Sequence, residues 1–428
     1  MKQHIVVREY ARLSIGLPGA GVMPVLDHGY VSASAFTYLC KLMSTFRKSG
    51  ATLFQLESQT CLKLDNYVGI LSTPCGTVIE ILPKHTEDAS DAARDSSRQI
   101  LIKMLCVALE LPARSAAQAA LQSRRLPLQE WVMQQFVHEL DLLVKRGLRF
   151  DYQLEQSEQR FLRGQLDVAK QMRQSPARRH LFPQRHDVFL PDNAENRLLK
   201  SALMIVCDHT RDSTTWRDAH ALAGLFADIT GSRDVANDLR AWRKTRLMSH
   251  YNAVRPWCEL ALGQHMPVAH AGATQGLSLL FPMERLFERY VEHHLQARMV
   301  GTDYRIKRQA ASQYLCKYDK RDLFLLKPDM LLKQGEKICM VLDVKWKLLS
   351  NQAQSNKYGL QQSDFYQMFA YGYKYLAGVG EMMLIYPTTP DFTGCMGRFE
   401  YAPGLGLRVA GFDLENDNMV LPQEYLPN

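Results

Sequence analysis

Apolar positions along this chain change their period from one region to the next. The first 90 residues favour short, β-branched, alternating runs. "HIVVREYA" opens the chain, and "NYVGILSTPCGTVIEILPK", Asn66 to Lys84, flanks the turn signal Thr73-Pro74-Cys75-Gly76 and predicts a hairpin. The polar stretch "HTEDASDAARDSSRQ" then predicts a loop and a helix start. From there the period becomes helical. In "PLQEWVMQQFVHELDLLVKRG", Val132, Phe136, Leu140 and Leu143 form one stripe, with Pro127 near its start and Gly147 as a stop. A stripe of this kind is explained by packing. "RFLRGQLDVAKQM" and "DNAENRLLKSALMIV" follow, and 220–255 reads as a further helical connector.

Beyond "HMPVAHAGATQG" the pattern becomes mixed. "PMERLFERYVEHHLQARM" predicts a helix with Pro282 near its start, and "YRIKRQ", "LFLLKPDMLLKQ" and "ICMVLDVKWKLL" predict strands. "QQSDFYQMFAYGYKYL" predicts a second amphipathic helix, and "EMMLIYPTT" and "GLRVAGFDL" supply later strands. Helix–strand–strand–helix–strand is the order of a compact α/β domain. The chain therefore reads as a β-rich region over 1–95, a mainly helical region over 96–260 and an α/β domain over 261–428.

Composition narrows the class. With 428 residues, 46% of them hydrophobic, the chain can bury more than one core. No apolar run has the length of a bilayer span, and the first residues lack a secretory apolar segment, so a cytoplasmic protein with no membrane partner is expected. Nine dispersed cysteines without a C-x-x-C pair argue against a disulfide scaffold or a structural zinc cluster. The formal net charge of +8 suits a polyanionic partner. "KQMRQSPARRHLFPQR", Lys170 to Arg185, contains Arg173, Arg178 and Arg179 and no acid. It reads either as a solvated basic loop or as a phosphate-backbone contact.

The candidate chemistry lies in "KPDMLLKQGEKICMVLDVKWKLL". On a strand, Asp343 and Lys345 share a face, and Asp329 approaches Asp343 if the hairpin turns around Gly335. Two unpaired buried carboxylates are costly, and a divalent cation removes the objection. Asp329 and Asp343 are thus candidate Mg²⁺ ligands, with Lys345 orienting water or stabilising negative charge. Lys347 is a candidate contact to a flanking phosphate or a solubilising residue. The alternative is a plain ionic cluster at the sheet edge.

The arrangement P-D, spacer, D-V-K resembles the PD-(D/E)xK nuclease core. With "MERLFERYV", "SDFYQMFAYGYKY", "LRGQLD" and "ENRLLK", the chain resembles the McrC family, the nuclease subunit of modification-dependent McrBC restriction systems. That resemblance implies an α/β C-terminal domain with a PD-(D/E)xK core and an N-terminal β-rich and helical partner-docking region. It implies a Mg²⁺-dependent DNA endonuclease specific for modified cytosine. The family match adds Glu288 as a catalytic residue and third metal ligand, with Glu284 as its alternative, and Gln367 as an active-site amide. It implies docking to, and stimulation of, a separate hexameric McrB-like AAA+ GTPase that binds the nucleotide, with modified duplex DNA as substrate. Arg163, in "LRGQLD" with Gly164 and Asp167, and Arg197 and Lys200 become candidate partner contacts, with local salt bridges as their plainer role. No G-x-x-x-x-G-K-[ST] loop occurs anywhere in the sequence. A standalone nuclease and a non-enzymatic activator of an AAA+ ring are the competing readings.

Overall fold

The computed structural model describes residues 3–16, 26–48, 52–85, 88, 90–111, 126–243, 248–263, 278–349 and 354–420. They divide into two compact units. One joins residues 1–128 to 265–428, and the other is 129–264. The N-terminal β-rich region and the C-terminal α/β region therefore belong to the same unit, whereas the sequence reading separates them. The expected boundary segment "HMPVAHAGATQG" lies outside the described residues.

In the first unit, strands Arg12–Ile15, His28–Val31, Phe54–Ser58 and Cys61–Leu64 form one sheet, packed with the helix Ala33–Lys48. Val7, Leu13, Val31, Leu39, Phe46, Phe54 and Ile81 close this core. A second sheet has the order His4–Arg8, Val78–Leu82, Tyr67–Ser72, Leu279–Pro282. Its last strand comes from the far end of the chain and runs directly into the helix Met283–Met299. Gly69 permits this pairing. It sits at φ +128°, and a Cβ there would lie 2.1 Å from the Leu279 carbonyl oxygen. Only a residue without a side chain tolerates both conditions.

The site-bearing sheet has seven strands. Its path runs Tyr304–Arg308, Met330–Gln334, Lys337–Val344, Gly380–Pro387, Leu405–Asp413, Cys395–Ala402, with Asn418–Val420 pairing Leu405–Asp413 off that path. Met330–Gln334 and Lys337–Val344 are antiparallel, and Lys337–Val344 and Gly380–Pro387 parallel. The parallel step requires a crossover, supplied by the helix Gln362–Tyr375. That helix lies close on the sheet because Gly372 faces Met382, whose sulfur would be 2.6 Å from an added Cβ. Two strand readings need correction. "LFLLKPDMLLKQ" is two strands, Arg321–Leu326 and Met330–Gln334, in different sheets, because Pro328 has no N–H to continue a ladder. The strand read through Lys345 to Leu349 stops at Val344.

The second unit is a helical body. It contains Leu128–Arg146, whose first residue lies in the other unit, together with Ala194–His209, Ser213–Leu225, Val235–Ala241 and Tyr251–Ala261. A three-stranded sheet is ordered Asp151–Gln159, Phe182–Leu190, Gln165–Leu166. Val132, Phe136, Leu140 and Leu143 are all buried, as their spacing requires. Among the described residues no helix is long and apolar enough to cross a membrane.

Gly69→Ala is expected to destabilise the first unit by about 2–4 kcal/mol through combined clash and backbone strain. Thermal melting monitored by circular dichroism checks this, and an unchanged melt would refute the close-approach account.

Candidate functional site

Asp329 precedes Met330, and Met330 pairs with Leu342, so the ladder brings Asp329 beside Asp343. Two backbone contacts fix the Asp329 segment. The Asp329 Oδ2 accepts the Val344 N–H at 2.8 Å, and the Asp329 carbonyl accepts the Gln309 N–H at 2.8 Å. Asp343 is almost fully enclosed, at 1% exposure. Lys345 lies one residue past the strand end, held by its N–H on the Ile385 carbonyl at 2.8 Å. Its Nζ is 2.8 Å from Asp343 Oδ2, an ion-pair contact at which that oxygen has no well-angled hydrogen bond.

From Lys345 the contacts continue in a line. Lys345 Nζ donates to Gln367 Oε1 at 3.1 Å, Gln367 Nε2 donates to the Tyr371 hydroxyl at 2.7 Å, and that hydroxyl donates to the Lys327 carbonyl at 3.0 Å. Gln367 and Tyr371 are one helical turn apart, so one helix face presents both. The sequence places Gln367 here only through the family resemblance. Tyr371 locks the amide's orientation.

Charge crowding sets the protonation states. Burial, then the charges of Asp343 and Glu288, push the Asp329 carboxyl up to about 8. Burial also raises Asp343, outweighing the lowering by Lys345. Burial pulls the Lys345 ammonium down, but Asp343 more than restores it, so it stays charged at neutral pH. Glu288 is raised by burial and by Glu292 and Asp343, and its carboxylate is hydrogen-bonded by the Gln309 side chain.

The expected Mg²⁺ set of Asp329, Asp343 and Glu288 is corrected on this geometry. Among the described residues no group of three or more His, Cys, Asp or Glu comes together to hold a metal ion. Asp329 is engaged by Val344, Asp343 by Lys345 and Glu288 by Gln309. The donor set present is therefore that of an acid–lysine–amide centre, and no step through a bound cation is derived from it.

Other candidates fall elsewhere. Glu284 is exposed. Lys347 turns to the helix Gln362–Tyr375, 2.9 Å from the buried Asp364 and 2.8 Å from Gln361. Asp364 thus supports Lys347. In the second unit, Arg197 forms a two-pronged bond with Asp192 at 2.8 Å, and Arg178 pairs with Glu158 at 2.5 Å. Neighbours in "ENRLLK" have a structural part. The buried Glu195 takes Arg149 Nη1 at 2.7 Å, and Asn196 accepts the Tyr251 hydroxyl at 2.7 Å. In "LRGQLD", Gly164 at φ +82° lies too close to the Arg185 carbonyl for a side chain, and Asp167 caps the helix Val168–Arg173. Arg163, Arg173 and Arg179 are exposed, and Lys200 is half-buried.

Sequence reasoning missed Glu9. This fully buried residue accepts the Trp346 indole N–H at 2.6 Å and the Lys84 N–H at 2.7 Å on the same oxygen. Burial pushes its carboxyl up to about 7. The tryptophan between two lysines in "KWK" was the available signal.

Asp329→Asn tests the crowding. In the folded chain the Asp329 carboxyl ionises near 8, but in the unfolded chain near its ordinary value of 3.8. Its contribution to stability is therefore complete below about pH 4 and lost as pH rises through 8. The stability of Asp329→Asn relative to the native chain is expected to increase across that window and level off above it. Urea unfolding at a series of pH values measures this, and a flat difference would count against the crowding.

The fold can be compared with known proteins. The family described as McrBC 5-methylcytosine restriction system component matches residues 62–387. No curated protein matches the chain. Among solved structures, the refined half-complex from a tetradecameric assembly of Thermococcus gammatolerans McrB AAA+ hexamers with bound McrC is 19% identical. That match covers 98% of this chain and 97% of the other, with a TM-score of 0.71. The cryo-EM structure of the Thermococcus gammatolerans McrBC complex is 20% identical over 70% of this chain and 89% of the other, with a TM-score of 0.52. At these identities the likenesses establish the fold alone.

The expectations tied to McrC are corrected accordingly. The matching family is described for a component of the system and not for its nuclease subunit, and the solved assemblies contain both McrB and McrC. Assignment to the McrC subunit is therefore withdrawn, and with it the PD-(D/E)xK nuclease fold class and the Mg²⁺-dependent endonuclease activity. The expected division of labour, with nucleotide held only by a separate McrB-like GTPase partner, is withdrawn as well. The opposite assignment, to the nucleotide-binding ring subunit, meets its own obstacle in the missing phosphate-binding loop. What the match over residues 62–387 establishes is that the chain belongs to the family of McrBC 5-methylcytosine restriction system components.

Proposed function

We propose that this chain serves a 5-methylcytosine restriction system through the centre formed by Asp329, Asp343, Lys345 and Gln367, with Glu288 beside it. The observation that carries the reading is the position of Lys345 Nζ, 2.8 Å from Asp343 and 3.1 Å from Gln367 next to carboxyls raised by burial and crowding. Such a centre is suited to two tasks. Lys345 and the Gln367 amide offer donors to an anionic group, where a low-dielectric setting strengthens each contact. Asp329, with its carboxyl near 8, exchanges a proton close to neutral pH, as a general acid or base must. Tyr371 holds the amide in place.

A second element of the proposal concerns the basic segment. Arg163, Arg173 and Arg179 are the better candidates for phosphate-backbone contact because they are exposed. Arg178, Arg197 and Lys347 are already engaged by Glu158, Asp192 and Asp364. The unpaired state of all nine cysteines, three of them exposed, is consistent with a reducing cytoplasm.

Restriction of a 5-methylcytosine-bearing plasmid in cells expressing the complete system tests the centre. Lys345→Ala and Asp343→Asn are expected to reduce restriction by on the order of 100-fold or more, and Lys347→Ala by less than tenfold. Folded variants at Lys345 and Asp343 that restrict like the native chain would overturn the proposal. For the basic segment, joint replacement of Arg163, Arg173 and Arg179 by Ala is expected to lower the slope of log affinity against log salt for duplex DNA by about 2–3. An unchanged slope would place the contact elsewhere.

A further inference from the structure

Glu9 and Trp346 are separated by 337 positions in sequence and joined by a 2.6 Å hydrogen bond in the first unit. Glu9 follows the strand His4–Arg8. Its N–H is held by the Leu82 carbonyl at 2.9 Å, and Tyr10 closes the turn in the left-handed region at φ 63°. Non-glycine residues adopt that conformation at a cost, so the surrounding structure must enforce it. The result is a carboxyl directed into a fully buried position.

Trp346 is the residue immediately after Lys345. It lies in a segment without strand pairing of its own, and it alternates with the lysines. Lys345 and Lys347 contact the helix Gln362–Tyr375, through Gln367 and Asp364. Trp346 turns the other way, meeting the Phe287 ring edge-on at 5.1 Å and giving its indole N–H to Glu9. Phe287 is the neighbour of Glu288. The indole is therefore bounded by the helix that carries Glu288 and by the N-terminal turn. Rotation of Trp346 out of this slot would turn Lys345 away from Asp343 and Gln367.

We propose that Glu9 is a positioning residue for the Lys345 centre, acting through Trp346. The proposal rests on the functional reading above and extends it to the first strand of the chain. The carboxyl suits this part because its Oε1 accepts from both the Trp346 indole and the Lys84 backbone, tying the turn after Leu82 to the same point. Its other oxygen, Oε2, is buried without a hydrogen-bond partner among the described residues. That arrangement needs one good acceptor and no net charge, so a neutral carboxamide satisfies it. The charged groups facing Glu9 are Lys84 and Glu284.

The test compares Glu9→Gln, which keeps the acceptor, with Glu9→Leu, which removes it, and Trp346→Phe, which keeps the ring and removes the donor. Three quantities are read on the full chain: the Trp346 indole N–H resonance, the rate of Lys345 reductive methylation by mass spectrometry, and plasmid restriction by the complete system. Glu9→Gln is expected to preserve all three. Glu9→Leu is expected to shift the resonance by loss of its hydrogen bond, and Trp346→Phe to abolish it. Both should speed methylation of Lys345 by about tenfold and reduce restriction by on the order of 100-fold. Trp346→Phe keeps the test decisive if Glu9→Leu does not fold. Unchanged Lys345 methylation in folded Glu9→Leu or Trp346→Phe would overturn the positioning inference. If methylation rises as expected but Lys345→Ala still restricts normally, positioning stands and the functional reading fails.

Discussion

Two carboxylates, Asp329 just before one strand and Asp343 within the next, are held beside each other, and the surrounding structure answers the cost of that juxtaposition. An isolated pair of buried like charges would protonate or pull the ladder apart. Here one carboxylate takes a backbone N–H, and the other takes a lysine placed two residues later. The lysine in turn needs an acceptor on its far side, which Gln367 supplies, and the amide needs its orientation fixed, which Tyr371 supplies. Each partner solves the problem created by the one before it. The sheet order, the crossover helix and the close approach at Gly372 place these groups within reach.

Much of this was legible in the residues. Asp343 and Lys345 share a face because strand geometry has a period of two, and Pro328 and Gly335 mark the hairpin that returns Asp329 to Asp343. The helical stripe at Val132, Phe136, Leu140 and Leu143 was legible for the same reason of period. Other features escaped. The strand Leu279–Pro282 pairs with Tyr67–Ser72 across some two hundred residues, and alternation alone cannot name a distant partner. Lys347 reads as a phosphate contact or a solubilising residue because periodicity gives a face but not the acid opposite it, and Asp364 occupies that place. A motif of two acids and a lysine suggested a cation; in the fold Asp329 takes the Val344 N–H, while Asp343 Oδ2 has the Lys345 ammonium 2.8 Å away and no hydrogen bond.

At "LRGQLD" and "ENRLLK" several neighbouring residues have structural parts that the motifs do not display. Charged and polar residues in short motifs read readily as contacts for a partner. In the second unit they are mostly internal: Glu195 and Asn196 are buried against Arg149 and Tyr251, Arg197 closes on Asp192, and Gly164 and Asp167 shape a turn and a helix start. A polar residue whose neighbours satisfy it is invisible as such until those neighbours are placed.

The discontinuity of the first unit bears on how the chain matures. Its two sequence portions are separated by an entire second unit, and the bond from Glu9 to Trp346 spans most of the chain. At ribosomal rates of about 5–20 residues per second, the first strand waits roughly 17–70 s before Trp346 has been synthesised. Throughout that interval the buried slot for the indole is unfilled and the Lys345 centre does not exist. Competence therefore arrives late, only once synthesis has passed Trp346 and Gln367, and a product terminated before them would carry the N-terminal strands without any chemistry attached to them.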